Sequence, residues 1–460
     1  MQTVRLQIHG LNQKGTLEMT TTKKNMYNEA KLTPIFKIME KKKVLVIGGG
    51  AIGSIICEAL TRNGTGYIAV CDKDYYEEDN LPKSSFVIRY PEDINISKAH
   101  ALANRLGVLA KEGCAIKGFN IDLKKLGPLA LANFDYVVMA LDTIAMRIFV
   151  QKLVKQCPEK RPILLSCGTT HENSEALIFA PKGACLRCTI PDAWLTSENP
   201  ETVHSCAAKV NYLLPQKHLP IVSTSGIPSM KSAIDIDDMI TSHATGAKRF
   251  EKSERYIQVP YPEKSGHSTT IGKLNNCPVC SLKAPENITL INGSTYHTTL
   301  REFLNIAKEQ FDSPCKLKVH ILEIPGVPDQ IYDQFVIDET CNACGKTFKL
   351  LKHAGDIREQ QIICPECEEN DGNSTHHYTG THTVSETRYF SLEETEDQVL
   401  DMTLFSLGYP IGCYYEVESC NDGPTEELDL FSTDLTSSIT TASESKIFAL
   451  SDDRDFLMDK

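Results

Sequence analysis

The apolar positions along the chain change period in an orderly way. Lys43-Val44-Leu45-Val46-Ile47 is a near-continuous apolar run of strand length, the pattern of a parallel strand covered on both faces. A glycine-rich turn comes next, residues 55–63 have helical spacing, and Tyr67-Ile68-Ala69-Val70-Cys71 reads as a second strand, which together predict a β-α-β unit. Further on, the pattern predicts a helix at 99–109, a strand at 134–140, a helix at 145–156 and a strand at 162–166. This alternation implies a doubly wound, Rossmann-like α/β domain. Residues 1–40 are polar and weakly patterned, with only a hint of an amphipathic segment at 31–39, and form an N-terminal extension.

The character changes after Cys280. Short strands at 288–291, 317–322 and 414–417 surround a helix at 299–310, predicting a smaller α+β domain over 286–420. Residues 421–460 are rich in Ser, Thr, Asp and Glu. Such a composition buries too little apolar surface to offset the entropy of ordering, so an acidic disordered tail is expected. Residues 230–240, with Ile234, Ile236, Met239 and Ile240, read as a core helix without chemistry.

Composition narrows the function. The 460 residues are 41% hydrophobic and carry a formal charge of −12, which argues against nucleic acid as the main partner because phosphate contact needs a concentrated basic surface. No stretch reaches the roughly 20 apolar residues of a membrane span, and residues 1–24 lack a signal-peptide core, so a cytoplasmic protein without membrane contact is expected. There are 17 cysteines, and eight of them fall into four Cys-x-x-Cys pairs. In a long chain with no secretion signal, that spacing favours metal over disulfides and predicts two bound Zn²⁺ ions.

The chemistry begins at Gly48-x-Gly50-x-x-Gly53, which succeeds a strand and opens a helix. Glycines there permit a tight turn and let a phosphate approach the N–H groups of the helix N-terminus. Asp72, at the end of the second strand, is placed for a ribose hydroxyl. These features suit a dehydrogenase and an adenylating enzyme equally. Four further segments break the tie: Asp72-Lys73-Asp74, then Glu78-Asp79-Asn80-Leu81, then Ser97-Lys98-Ala99, then Ala140-Leu141-Asp142-Thr143 with Arg147 one helical turn further. In this order the sequence resembles the superfamily of ubiquitin-activating enzymes and ThiF/MoeB-like adenylyltransferases of molybdopterin and thiamine pathways. The resemblance covers roughly residues 41–285.

The resemblance implies an adenylation domain over 41–285 that uses ATP and Mg²⁺. Gly48, Gly50, Gly53, Asp72, Asp74, Asn80, Lys83, Lys98, Asp142 and Arg147 would form the nucleotide site, with Asp72 on the ribose, Asn80 and Lys98 on the phosphates and Asp142 on Mg²⁺. Two positions depart from the family pattern: Lys83 stands where an arginine is usual, and Thr143 where an asparagine is usual. Lysine keeps the charge but loses the bidentate fork. The usual arginine from near the N-terminus has no convincing counterpart, Arg5 being the only arginine before Arg62.

Cys185, Cys188, Cys277 and Cys280 are two knuckles that suit one tetrahedral Zn²⁺. Cys341, Cys344, Cys364 and Cys367 suit a second, in a zinc ribbon at 341–367. With every ligand a cysteine, both ions would be structural and neither catalytic. Between the halves of the first site, Thr202-Val203-His204-Ser205-Cys206-Ala207 resembles the family's crossover loop, which makes Cys206 the expected acceptor nucleophile, although a free cysteine is also commonly a small buried hydrophobe. The segment 402–410, ending Leu407-Gly408-Tyr409-Pro410, is similar to the end of a ubiquitin-fold domain, so 286–420 is expected to be ubiquitin-fold-like, with a generic α+β scaffold as the alternative.

Taken together, the resemblance implies an enzyme that adenylates the C-terminal glycine of a ubiquitin-like protein and then holds it as a thioester, with a conjugating enzyme as a further partner and a homodimer or heterodimer as the active unit. Two alternatives stand beside it: a sulfur-carrier adenylyltransferase, and a non-catalytic scaffold subunit of a heterodimer.

Overall fold

The computed structural model describes residues 34–158 apart from 79, 81–83, 86 and 90; 161–169; 173–190; 226–259; 265–311; 316–321; 335–341; 344–353; 361–367; 375–377; 383–387; 390–420 apart from 394; and 444–458. Its centre is an eight-stranded sheet of order β3-β2-β1-β4-β5-β6-β7-β8. Five strands are parallel: β1 (Lys43–Ile47), β2 (Tyr67–Cys71), β3 (Ala115–Phe119), β4 (Tyr136–Met139) and β5 (Ile163–Thr169). Three more continue the sheet antiparallel: β6 (Ser174–Phe179), β7 (Glu254–Val259) and β8 (Ser265–Thr270).

Alternation along β1 shows why the sheet needs cover on both sides. Val44 and Val46 face one apolar layer and Leu45 and Ile47 the other, and all four are buried. The first layer holds α2 (Ala51–Arg62), α3 (Lys98–Gly107) and α6 (Ile227–Ala244), through Ile56, Leu60, Leu102, Leu106, Ile236 and Ile240. The second holds α4 (Pro128–Ala132) and α5 (Ile144–Lys155), through Leu131, Phe149 and Leu153. A short helix, α1 (Pro34–Met39), closes the first layer with Met39. No helix among the described residues is long and apolar enough to cross a membrane.

Helix α6 carries two partly buried carboxyls. Asp237 accepts from Asn63 Nδ2 at 2.8 and 2.9 Å, and Asp235 accepts from Gln258 Nε2 at 2.6 Å. Burial pushes both up to about 6 from 3.8, and the neighbouring Asp238 charge adds to it. The folded state therefore holds these protons more tightly than the unfolded chain does. Their contribution to stability is full below the unfolded value and is lost as pH rises through about 6. Asp237→Asn is predicted to flatten that decline. Urea denaturation of both proteins between about pH 4 and about pH 7 should show the variant gaining on the wild type as pH rises; parallel curves would refute the assignment.

A second body is a four-stranded sheet of order β10-β16-β17-β9, made of β9 (Ile288–Ile291), β10 (Lys316–Ile321), β16 (Tyr415–Cys420) and β17 (Glu444–Leu450). Helix α7 (Leu300–Lys308) packs Phe303 against Tyr415 and Phe448, and it begins with a capping box in which Thr299 and Glu302 satisfy each other's backbone N–H groups. A short helix, α8 (Asp397–Leu400), adds Val399 and Leu400 to the same core. Strand β17 corrects the expectation of a disordered tail at 421–460: Phe448, Ala449 and Leu450 are fully buried and pair with β9. Composition averaged over the whole segment hides this apolar run. Residues 421–443, the polar part, lie outside the described residues.

The two bodies are joined by direct bonds. Gly127 N donates to Ile411 O at 2.7 Å, Tyr414 Oη to Gln156 O at 2.8 Å and Tyr67 Oη to Leu457 O at 2.7 Å. Gly412 sits at φ +76°, and a β-carbon there would meet Ala130 N at 2.6 Å, so the close approach requires glycine. The remaining strands, β11 (Phe335–Thr340), β12 (Thr347–His353), β13 (Gln361–Ile363), β14 (Thr375–His377) and β15 (Thr383–Thr387), form one three-stranded and one two-stranded sheet around the second cysteine group.

Candidate active site

Strand order reverses between β1 and β4, and the loops leaving the carboxyl ends of β1, β2 and β4 meet there. This is the crevice in which doubly wound sheets bind ligands. Gly48 turns at φ +101°, and a β-carbon on it would lie 2.4 Å from Ala140 O. One on Gly53 would lie 1.9 Å from Gly48 O, which explains why helix α2 can start so close to β1. Gly50 opens the helix with no side-chain cap and no acidic residue in the first turn, and a β-carbon there would meet nothing within 4 Å. The open helix N-terminus suits an anion such as a phosphate of ATP.

Asp72 is committed to the loop as well as the crevice. Its Oδ2 accepts from Gly49 N at 2.6 Å and its Oδ1 from Asp74 N at 2.8 Å. Burial raises its pKa above the ordinary carboxylate value, against these two hydrogen bonds, which hold it down. Each oxygen keeps a second lone pair for a ribose hydroxyl. Lys98 is the first residue of α3. Its Cβ lies 3.4 Å from where a β-carbon on Gly49 would be, and its ammonium is 3.5 Å from Asp74. Asp142 is exposed just beyond β4.

Several other expected site residues also make contacts within the fold. Asn80 closes a local turn, its Oδ1 accepting from Glu77 N at 3.3 Å. Thr143 caps α5 by accepting from Met146 N at 3.4 Å, a local reason for a hydroxyl residue there. Arg147 is buried and turned inward, donating to Leu141 O and, at 2.9 Å, to Ser166 Oγ. It braces the strand end that carries Asp142. Lys83 and Cys206 lie outside the described residues. Tyr76, which belongs to none of the sequence motifs, is buried and donates its hydroxyl to Gly49 O at 2.9 Å. Nothing in the local pattern marks it, because its role depends on the β1 loop folding over it.

The eight paired cysteines converge in two groups whose ligand atoms lie within 4.8 Å of one another in each. In the first, Cys185 Sγ is 3.8 Å from Cys188 and 3.4 Å from Cys277, and Cys188 is 3.6 Å from Cys280. In the second, Cys341–Cys367 and Cys344–Cys364 are each 3.7 Å apart. Four sulfurs at the usual Zn–S length of about 2.3 Å stand about 3.8 Å apart in a tetrahedron, so both groups fit structural Zn²⁺. The first packs on Ile144 and Ile148 of α5. Elemental analysis of purified protein is predicted to give two zinc per chain, and Cys277→Ser to lose one and melt lower; a metal-free wild type with unchanged melting would exclude both sites.

A doubly wound sheet with an open glycine loop and an acidic second-strand end at its switch point is the arrangement of a nucleotide-binding fold. The ThiF family profile matches residues 31–322, and the chain belongs to the ThiF family. Among curated relatives, the NEDD8-activating enzyme E1 catalytic subunit of Caenorhabditis elegans is 26% identical over 166 residues, 34% of this chain and 38% of that protein. The adenylyltransferase and sulfurtransferase UBA4 of Yarrowia lipolytica is 30% identical over 171 residues, 36% of this chain and 42% of that protein. The chain thus spans less than half the length of these relatives. Among solved structures, E. coli MccB is similar at 17% identity and a TM-score of 0.42, covering 54% of this chain and 69% of that one.

Proposed function

We propose that the protein uses Mg-ATP to adenylate the C-terminal carboxylate of a ubiquitin-like protein. The observation that carries this reading is the convergence of the open α2 N-terminus, Asp72, Lys98 and Asp142 at one switch point of a ThiF-family sheet. A C-terminal glycine carboxylate is a competent nucleophile at neutral pH, so the site must supply charge stabilisation and not a strong base. A carboxylate oxygen attacks the α-phosphorus of ATP, the bond to the β-phosphate oxygen breaks, and pyrophosphate leaves. Lys98 and the helix N-terminus would offset phosphate charge. Asp142 would hold Mg²⁺, which when bound screens the departing pyrophosphate. The Cys206 thiolate then attacks the acyl carbon, forming a thioester and releasing AMP.

The second body would recruit a conjugating enzyme as a ubiquitin-fold-like module. Lys83 and the lack of an N-terminal arginine counterpart favour an active unit in which a partner subunit completes the phosphate site. The alternative product is a thiocarboxylate on a sulfur carrier, in keeping with relatives such as the Yarrowia lipolytica adenylyltransferase and sulfurtransferase. Intact mass after incubation with Mg-ATP and a panel of Gly-Gly-ended small proteins separates these readings. A thiol-sensitive adduct present in wild type and absent in Cys206→Ala supports the thioester route. Pyrophosphate release without an adduct supports the sulfur-carrier route, and neither signal across the panel sinks catalysis by this chain alone.

A further inference from the structure

The end of the large sheet opposite the nucleotide crevice carries a cavity of about 440 Å³, within the roughly 300–1,000 Å³ range of small-molecule sites. Its position stems from topology. Lys42 directly precedes β1, Asp135 and Tyr136 stand at the start of β4, and Arg161 leads into β5. These parallel strands all begin at this end. Lys182 comes after β6, which runs the other way and so finishes here, and His243 comes from the last turn of α6. No residue of the nucleotide site lines this cavity.

Its charge is opposite to that of the chain. Lys42, Arg161 and Lys182 line it, and none of the three is ion-paired with a described residue. One carboxylate, Asp135, faces them, and its Oδ2 already accepts from Lys43 N at 3.1 Å. Residues 159 and 160, outside the described set, are Glu and Lys and add no net charge. A protein of net charge −12 therefore gathers three cations around one concave site, an arrangement whose mutual repulsion an anion would relieve. The wall is also ordered. Tyr136 Oη and His243 Nδ1 are hydrogen-bonded at 2.9 Å, and the imidazole stacks on Phe250 at 6.2 Å.

We infer that this cavity binds a small dianion, a phosphate or a dicarboxylate, with the planar fork of Arg161 taking two oxygens and Lys42 and Lys182 flanking it. The inference does not depend on the adenylation reading. To test it, the nucleotide site is first saturated with a non-hydrolysable ATP analogue. Inorganic phosphate and succinate are then titrated calorimetrically into the full chain, as wild type, Arg161→Ala and Lys182→Glu. At least one probe should bind the wild type, and each variant should weaken it by about tenfold or more, with ATP-analogue affinity and melting unchanged. Lys182 is exposed in a turn, so its reversal tests the charge even if Arg161→Ala proves unstable. Which probe binds identifies the anion. Failure of both to bind, or equal binding to wild type and Lys182→Glu, would overturn the site.

Discussion

Lys98→Ala is expected to lower ATP–pyrophosphate exchange by about 10²–10³-fold, the usual loss when one preorganised charge-stabilising group is removed from a reaction centre. Lys98 leads helix α3 beside Gly49, and its side chain is 14% exposed along the crevice. Its described polar partner is Asp74, 3.5 Å away and 60% exposed. With its partner carboxylate so open to water and 3.5 Å away, the pair contributes about 0–1 kcal/mol, so the variant should fold normally. Lys98→Arg keeps the charge in a bulkier fork and should retain part of the activity, whereas a merely structural lysine would tolerate alanine and arginine alike. The check is exchange activity with a panel of Gly-Gly-ended proteins, alongside the melting temperature. Full exchange by Lys98→Ala would reduce Lys98 to a surface partner of Asp74 and remove the main support for the proposed chemistry.

How far such a site can be read from sequence depends on whether a residue's task is local. The run Val44-Leu45-Val46-Ile47 shows a doubly covered strand directly, since every residue is apolar and every one is buried. The glycine loop is equally legible, because Gly48 and Gly53 answer contacts within a few residues or one strand away. Arg147 is different. Its place in the ordered motif suggests a part in the nucleotide site, while the hydrogen bonds of its buried guanidinium to Leu141 O and Ser166 Oγ are visible only once β4 and β5 are paired. Thr143 shows the reverse case, a departure from the family pattern that a local helix cap explains. Strands β7 and β8 are hidden in the sequence because polar positions break the apolar run that marks β1, whereas Ala176-Leu177-Ile178-Phe179 in β6 is an apolar run as long as that of β1. The cysteine pairs are visible by spacing, yet Cys185 meeting Cys277 across 92 residues is a product of the fold.

The chain end gives the second large prediction, because a segment whose composition suggests disorder completes the core of the smaller body. Phe448 is fully buried on β17, edge-to-face with Phe303 at 6.1 Å and tilted against Phe311 at 6.4 Å. Phe448→Ala should cost about 3–5 kcal/mol, a large share of a typical domain's roughly 5–15 kcal/mol. Ending the chain at residue 443 should do more. It removes the strand between β16 and β9 and leaves β9 without its partner. It also removes the fully buried Asp453, which accepts from Thr295 N at 2.8 Å and Gly412 N at 2.9 Å, so two buried donors lose their acceptor. Leu457 packs instead under the large sheet beside Phe134 and Leu153, so the same short stretch ties the two bodies together. Leu457→Ala should therefore loosen the docking and make the two bodies melt separately, while Phe448→Ala lowers the melting of the smaller body alone. Scanning calorimetry with limited proteolysis distinguishes these outcomes. A Phe448→Ala variant within about 1 kcal/mol of wild type would show that β17 does not hold the smaller sheet together.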